Sequence, residues 1–433
     1  HFVDFTEFEV IIKKGFESLI EENIYGVAEA LFRLYQHFLT PETNVDLTKY
    51  CQAFSISQFC FFLLIKIKES EFLPITPYFL QLFIEILAKD KSNNFARYCI
   101  DYGAVEIIMY LKNVASEYYP LIMIFAYDLY NFCSDYIVKK TTEFYTLLEG
   151  VFNELNNEEY SFLSLLVLIN LLRETQIENE KLNQHFFQKI IICIKSDSQD
   201  ISISAMWCVY FWFQNSWENA FPFISEDFIE TLSNNIKESK FEDIKKLSLY
   251  VYSFLWAISD DTKKSDVERY FPFEEVLSMI DYSKCSDDDT CTLCVVNLNN
   301  FICDKNSNFT YFLSNKGFEL VLSALKCRSS KCKQEVGFLI TTALDFIPEN
   351  LIQSYINNDL IVDLCELCLL GNSDLMMKIL KFFYQILLNF PCIIPILEEN
   401  NFLDEVRATD DPKVNEMVNV LERNIQETIN QHK

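Results

Sequence analysis

A bend-like position returns along this chain at spacings close to 42 residues or twice that, and this period constrains the fold more than any other feature. Gly103 occupies it in "CIDYGAVEIIMYL" and Gly317 in "FLSNKGFELVLSAL", each between two short apolar runs. Further copies centre on His185, Asp227, Pro272, Asp359 and Asn401, with a weaker copy near Glu143. Glycine takes positive φ freely, and Asn, Asp and His are the side chains enriched there. We therefore expect a sharp bend at each copy, built differently at Pro272, since proline cannot take positive φ.

Such a period indicates a repeat array that grows by stacking, although 433 residues would otherwise suggest two or three domains. Each unit closes with a longer amphipathic segment in which apolar residues recur at helical spacing, as in "SFLSLLVLINLLRET". Low Gly and Pro contents of 7 and 10 favour helices joined by short links. The units are expected to end near residues 39, 90, 135, 174, 215, 261, 304, 346, 388 and 425. The prediction is an all-α, right-handed α-solenoid of about ten armadillo (ARM/HEAT-like) repeats, forming one superhelix over residues 1–433 with atypical terminal repeats.

Charge and cysteine usage narrow the class of partner. The net charge of −27, from 63 acids and 36 bases, repels nucleic-acid phosphates and attracts basic partners. The acidity also has a simpler interpretation as an aid to solubility. No run of 18 uncharged apolar residues occurs, so we expect no membrane insertion. Because of the net negative charge, we also expect no nucleic-acid binding. The 15 cysteines lie in apolar helical runs, which favours free thiols in a reducing compartment.

No constellation for catalysis or metal binding stands out. The four histidines include the terminal His1 and His432, and phosphate-binding glycine motifs are missing. The spacing of Cys291 with Cys294, and of Cys365 with Cys368, is that of many zinc ligands. Inside apolar helices, however, residues three apart share one buried face. We expect no enzymatic activity, no metal and no cofactor.

Two columns of residues recur in the third helix of successive repeats when the chain is aligned on the bends. The Asn column, named for its three asparagines, falls on Ile86, Asn131, Asn170, Phe211, Asp260, Asn299 and Thr342. The Trp column lies four residues earlier, on Leu82, Tyr127, Leu166, Trp207, Trp256, Val295 and Phe338. In these columns the chain resembles the importin-α family, the nuclear-import adaptors, whose recurring Trp-x-x-x-Asn element holds a peptide backbone with the Asn amide and Lys and Arg stems with the Trp faces.

Further segments support the resemblance. In "YDLYNFCSD" Asp135 follows Asn131 by four residues, where the family places the acid that reads the key lysine of its cargo signal. "INLLRET" is similar to the family's Asn-Leu-Cys-Arg segment. "ALFRLYQHFLTPE" and "ILEENNFLDEVRA" are similar to its opening and closing segments. The resemblance therefore implies that a Lys/Arg-rich peptide contacts Tyr127, Asn131, Asp135, Asn170, Trp207, Phe211, Trp256, Asp260, Asn299, Phe338 and Thr342.

The departures from the family pattern are equally specific. Trp is kept at two of the seven column positions and Asn at three, so the preferred signal could differ from the family's. Each Asn also has an interpretation as a solvated helix residue, and each Trp as core. The resemblance implies a nuclear import adaptor in the cytoplasm and nucleus, with an importin-β-type carrier recruited through a basic segment upstream of residue 1. The alternative is an armadillo scaffold for signalling or cytoskeletal proteins.

Overall fold

The computed structural model describes residues 5–39, 56–90, 93–137, 141–155, 160–174, 180–281, 283–347, 352, 355–398, 402–409 and 411–431. Within these ranges all regular elements are helices, so the predicted all-α solenoid class is confirmed. The chain divides into two compact units, His1–Ser225 and Glu226–Lys433, and each is described by itself. Whether the repeats form one superhelix of about ten units stays a prediction.

Unit 1 consists of α-helices with short 3-10 turns between some of them. Its helices are α1 Phe5–Ile20, α2 Ile24–Leu39, α3 Ile56–Lys66, α4 Thr76–Lys89, α5 Asn94–Asp101, α6 Ala104–Val114, α7 Tyr119–Ile137, α8 Thr141–Glu154, α9 Ser161–Glu174, α10 Glu180–Ile194 and α11 Gln199–Ala220.

Unit 2 continues the same pattern. Its helices are α12 Glu226–Glu238, α13 Glu242–Ile258, α14 Asp261–Tyr270, α15 Phe273–Ser278, α16 Asp288–Asp304, α17 Asn306–Ser314, α18 Gly317–Cys327, α19 Ser330–Phe346, α20 Asn358–Cys368, α21 Ser373–Ile386, α22 Ile394–Glu398, α23 Phe402–Arg407 and α24 Pro412–Gln431. Short helix, bend, second helix and long third helix recur as α5–α7 and α17–α19, which is the armadillo plan.

The long third helices pack side by side in each unit, and we call them the ladder helices. In unit 1 they follow the order α2, α4, α7, α9, α11, and in unit 2 the order α13, α16, α19, α21, α24. Their ends coincide with the expected ends at residues 39, 174, 304 and 346. The largest differences are at α11, which continues past a non-helical Ser216 to Ala220, and at α24, which continues to Gln431. One face of each ladder helix joins the core, and the opposite face is the open face.

The predicted bends hold at two positions. Gly103 adopts φ +82° between α5 and α6, as expected, and Pro272 precedes α15 with φ −81°, a bend built differently. At Gly317 the left-handed residue is its neighbour Lys316, with φ +59°. His185 lies inside α10, a position the prediction placed at a bend.

Three of the remaining predicted bends are wrong, and the fourth lies outside the residues that the structure describes. Asp227 and Asp359 lie in the first turns of α12 and α20, and Glu143 lies within α8. Acids near a helix start interact favourably with the helix dipole, so these polar residues open helices instead of bending the chain. Asn401 lies outside the described residues.

The core is apolar and contains most of the described cysteines. Trp212 is fully buried, with its ring centre 4.2 Å from that of Phe186 and 4.1 Å from that of Phe187. Of the described cysteines, Cys303 and Cys392 are exposed, and all that are described are free thiols. By length and composition alone, the stretch Ser70–Lys89 could cross a membrane, but half of it is buried within unit 1, as core helices often are.

Candidate functional site

On α7 the predicted contact residues stand on the open face. Asn131 is exposed and Tyr127 is half-buried, one helical turn apart. Asp135 follows Cys133, whose backbone is non-helical with φ −151° and ψ 40°, so it lies beyond a kink in α7, and its side chain lies outside the described part of the chain. An exposed amide beside a phenol ring can offer a donor and an acceptor to an extended peptide backbone.

The neighbouring helix α4 differs from the expected column. Leu82 and Ile86 are completely buried, so neither can contact a partner. Glu85, one residue earlier than Ile86, is half-buried. On α4 the residue that faces outward is therefore Glu85, one position before the residue that the alignment predicted. The alignment on the bends fixes the distance in sequence from one helix to the next, but it does not fix how each helix is rotated about its own axis.

A pair of acids occupies the open faces of α4 and α7. Burial, and to a smaller extent the charge of Glu85, raises the pKa of Asp128 to about 6. Among the described residues no Lys, Arg or His nitrogen lies within 4.0 Å of either carboxylate. Two like charges near each other without a cation are unfavourable, so a bound cation would be stabilised there.

On α9, the predicted Asn170 is buried, with 4% of its surface exposed. Its Oδ1 accepts a hydrogen bond of 2.8 Å from the Arg173 guanidinium. Its Nδ2 has no partner among the described residues. Asn170 is thus tied to its own helix on one side and unsatisfied on the other.

An aromatic cluster covers the open face of α11. Trp207 is 40% exposed and stacks on Phe211, with ring centres 5.7 Å apart and planes at 26°. Tyr210 packs edge-on against both rings. The guanidinium carbon of Arg173 lies 5.8 Å from the centre of the Phe211 ring, a cation–π distance. This ring of the predicted peptide-contact set is therefore occupied by a cation of this chain.

A residue that sequence reasoning missed joins α11 to α9. The Asn215 side-chain amide donates to the carbonyl oxygens of Leu172 at 2.7 Å and Arg173 at 3.0 Å. Carbonyls in the last turn of a helix have no partner within that helix. Asn215 therefore satisfies the end of α9 from the next ladder helix. Asn215 lies eight residues after Trp207, outside the expected columns, so its position in the sequence did not predict this contact between helices.

In unit 2, the two predicted residues at α13 do not form an open site. Trp256 is 6% exposed and packs against Phe271 and Phe301, with ring centres 5.7 and 6.4 Å away, so it is a core residue. Asp260 is exposed and caps α14, where its carboxylate accepts a hydrogen bond of 2.9 Å from the backbone N–H of Lys263. A capping acid of this kind stabilises the helix start.

On α16, Asn299 is half-buried, and its Oδ1 is buried without a hydrogen-bond partner among the described residues. Two residues earlier, Asn297 is fully buried and donates to the carbonyl oxygens of Leu249 and Leu293 at 3.0 and 2.9 Å. Asn297 thus holds α13 against α16, and its own Oδ1, like that of Asn299, has no hydrogen-bond partner among the described residues.

The last predicted pair lies on α19. Phe338 is half-buried, and Thr342 is 6% exposed. Lys378, from the next ladder helix α21, places its Nζ 5.6 Å from the centre of the Phe338 ring and 3.4 Å from Thr342 Oγ1. This is the second expected ring that a cation of the chain itself occupies.

The cysteine pairs are buried groups. Burial raises the pKa of the Cys294 thiol well above its usual range, and that of Cys365 to about 12. Such thiols are neutral at physiological pH and are poor metal ligands or nucleophiles. Within the described ranges, no group of three or more His, Cys, Asp or Glu side chains is placed to hold a metal ion.

Comparisons with known proteins give a likeness of fold. No family model and no curated protein matches this chain. The crystal structure of an engineered protein is similar over 97% of this chain and 98% of its own, with a TM-score of 0.71 and 12% identity. A designed armadillo repeat protein in complex with the peptide (KR)4 covers 64% of this chain and 99% of its own, with a TM-score of 0.39 and 10% identity. This chain is therefore similar in fold to the engineered protein with the TM-score of 0.71.

Proposed function

We propose that this protein is an armadillo-type adaptor that binds extended peptides rich in Lys and Arg on the open faces of its ladder helices. The observation that carries the proposal is the acid pair of Glu85 and Asp128 beside Tyr127 and Asn131. The acids supply charge for a lysine or arginine, the ring can cover its aliphatic stem, and the amide can bond the backbone. The chain's net charge of −27 would attract such a peptide from a distance.

As its cellular role we propose import of proteins that carry basic nuclear localisation signals. This step rests on the resemblance to importin-α in the ladder-helix residues. It implies movement between cytoplasm and nucleus and recruitment of an importin-β-type carrier. The exposed Trp207 and Asn131 support the proposal in unit 1, whereas Trp256 in unit 2 is buried. Unit 2 offers no open Trp of this column.

The proposal predicts salt-sensitive binding of a basic peptide. A fluorescently labelled Lys/Arg-rich peptide should bind with micromolar affinity or better, and raising NaCl from about 50 to about 300 mM should weaken binding, because screening shortens the reach of surface charges. Asp128→Lys should lower the affinity by about tenfold or more, as measured by fluorescence anisotropy.

The matched control is Glu117→Lys, the same charge change at an exposed acid outside the ladder helices, in the 3-10 turn before α7. It alters the net charge equally and should weaken binding only slightly. Equal losses for the two variants would assign the attraction to net charge alone. Absence of any basic-peptide binding would favour the scaffold role. Import of a fluorescent cargo into nuclei of permeabilised cells, with and without an added importin-β-type carrier, tests the cellular role separately.

A further inference from the structure

Two rings of the predicted peptide-contact set already lie against cations of this chain. In unit 1 Arg173 lies against Phe211 and donates to Asn170, and among the described residues no further acceptor is assigned to its five N–H donors. In unit 2 Lys378 lies against Phe338 and close to the Thr342 hydroxyl. A second cation brought by a partner would meet a like charge at either ring.

Neither cation forms a close ion pair with an acid among the described residues. Some cations elsewhere in unit 2 do, as Lys246 does with Asp287 and Asp289 at 3.3 and 3.1 Å. Among the described residues no carboxylate oxygen lies within 4.0 Å of Arg173 or Lys378. Both cations therefore keep a charge with which an acidic side chain of a partner can pair.

Lys378 also acts on its surroundings through charge. Burial raises the pKa of the Asp345 carboxyl and that of the Cys303 thiol, and the charge of Lys378 partly offsets both rises. Lys378 on α21 therefore lies within electrostatic reach of Asp345 on α19 and of Cys303 on α16. Lys381, exposed on α21, adds a further positive charge near Asp345.

We propose that these two rings are anion sites: each binds an Asp or Glu side chain of the peptide, at Arg173 in unit 1 and at Lys378 in unit 2, and each disfavours a basic side chain. The inference rests on the proposed function, since it requires a peptide on the same open faces. It names the partner more narrowly as a peptide of mixed charge.

The spacing along the unit 1 peptide follows from the geometry of the ladder. The acid pair lies on α4 and α7, and Arg173 lies on α9, the next ladder helix. Packed helices are roughly 8–10 Å apart, and an extended peptide advances about 3.3 Å per residue. The acidic residue of the partner is therefore expected roughly three to six residues from its basic residue.

A peptide series tests unit 1. Each peptide carries one Lys-Arg pair and places Glu, Ala or Lys at one of the positions from two to seven residues away on either side. Glu at one of the positions three to six residues away should tighten binding by up to about fivefold relative to Ala, as for a partly exposed ion pair, and Lys there should weaken it. Arg173→Glu should reverse this preference, and Arg173→Lys should keep it.

The control is Arg97→Glu. Arg97 also lies over a ring, that of Tyr136 at 5.9 Å, but it belongs to α5, which is not a ladder helix. This variant should keep the preference for Glu. If the Lys-Arg peptide with Ala binds normally and no position prefers Glu, or if Arg173→Glu keeps that preference, the anion site in unit 1 is wrong while the proposed function stands.

An acidic peptide tests unit 2 independently of basic-peptide binding. A Glu-rich peptide carrying a bromoacetyl group should alkylate Cys303 faster than Cys392, which is also an exposed thiol. In this reaction the cysteine thiolate displaces bromide from the peptide. Lys378→Glu should remove this preference, and Lys237→Glu on α12 should not, as read by mass spectrometry of the digested protein. Equal alkylation of Cys303 and Cys392 in the unaltered protein would overturn the unit 2 site. A clear preference without basic-peptide binding would instead retain this site and overturn the proposed function.

Discussion

At the scale of residues, a shift of one position separates contact from core. On α4, Ile86 is fully buried while its neighbour Glu85 is half-buried. Successive helical residues point about 100° apart, so a single-residue error in alignment moves a side chain from the open face into the core. The amide of Asn131 is exposed and that of Asn170 is not, although both occupy the same predicted column.

The pKa of Asp128 gives a testable pH dependence. Burial and Glu85 raise this pKa from 3.8 to about 6, so between these values the folded protein binds more protons at this site than the unfolded chain. The contribution of Asp128 to stability therefore falls as pH rises through this window and stays unfavourable above about pH 6.

Asp128→Asn removes the charge and should raise the free energy of unfolding at pH 7.5 by roughly 1–2 kcal/mol, after allowance for partial solvent exposure. The gain should shrink as pH is lowered to about 5, as followed by the urea midpoint. Asp197→Asn, at an exposed loop position, is the control. A gain that is the same at both pH values would rule out the raised pKa as its cause.

At the scale of elements, hydrophobic periodicity predicted the ladder helices well, but the bends poorly. Apolar residues recur every three or four positions in those helices because one face joins the core, so the signal is local. A polar residue between apolar runs is ambiguous, since it can open a helix, as Asp227 does, or precede a bend. Contacts made across helices, such as those of Asn215 and Asn297, depend on residues about 40 positions away and leave no local pattern.

Gly317, where the chain turns from α17 into α18, lies close to Phe312 and leaves no room for a side chain. A Cβ atom on Gly317 would clash with the Phe312 ring and would lie 2.8 Å from the Phe312 carbonyl oxygen. Gly317→Ala should therefore destabilise the protein by about 1–3 kcal/mol. Lys316→Gly should stabilise it by about 1 kcal/mol, because Lys316 adopts φ +59°.

The urea midpoints of Gly317→Ala and Lys316→Gly test whether the first variant is less stable, and the second more stable, than the unaltered protein. Gly371→Ala is the matched comparison, since Gly371 has φ +85° but no atom within 4 Å of the added Cβ, so it suffers backbone strain alone. If Gly317→Ala costs less than Gly371→Ala, close approach is not the reason for the glycine at position 317.

At the scale of the whole molecule, the excess of acids is spread over a chain whose cores are apolar. Net charge far from zero destabilises compact states through self-repulsion, and it also attracts basic partners. Charge and repeat pattern therefore lead, from the sequence alone, to the proposal of a binding protein for basic peptides. The two cations on the rings were not predictable, because their positions depend on packing between neighbouring helices.

Salt should stabilise this protein. Raising NaCl from about 50 to about 500 mM at pH 7.5 should raise Tm, since screening weakens repulsion among surface carboxylates. The rise should become smaller at pH 5, close to the isoelectric point of about 4.5. A fall of Tm with salt would mean that ion pairs such as Lys246 with Asp287 outweigh the repulsion.

The amide of Asn215 has a consequence for protein engineering. Because it completes the end of α9 from α11, the two neighbours cannot be exchanged as independent cassettes. An inserted or transplanted segment that lacks an amide at this place would leave the Leu172 and Arg173 carbonyls bare. Lengthening, shortening or recombining the array there requires that α9 and α11 be moved together.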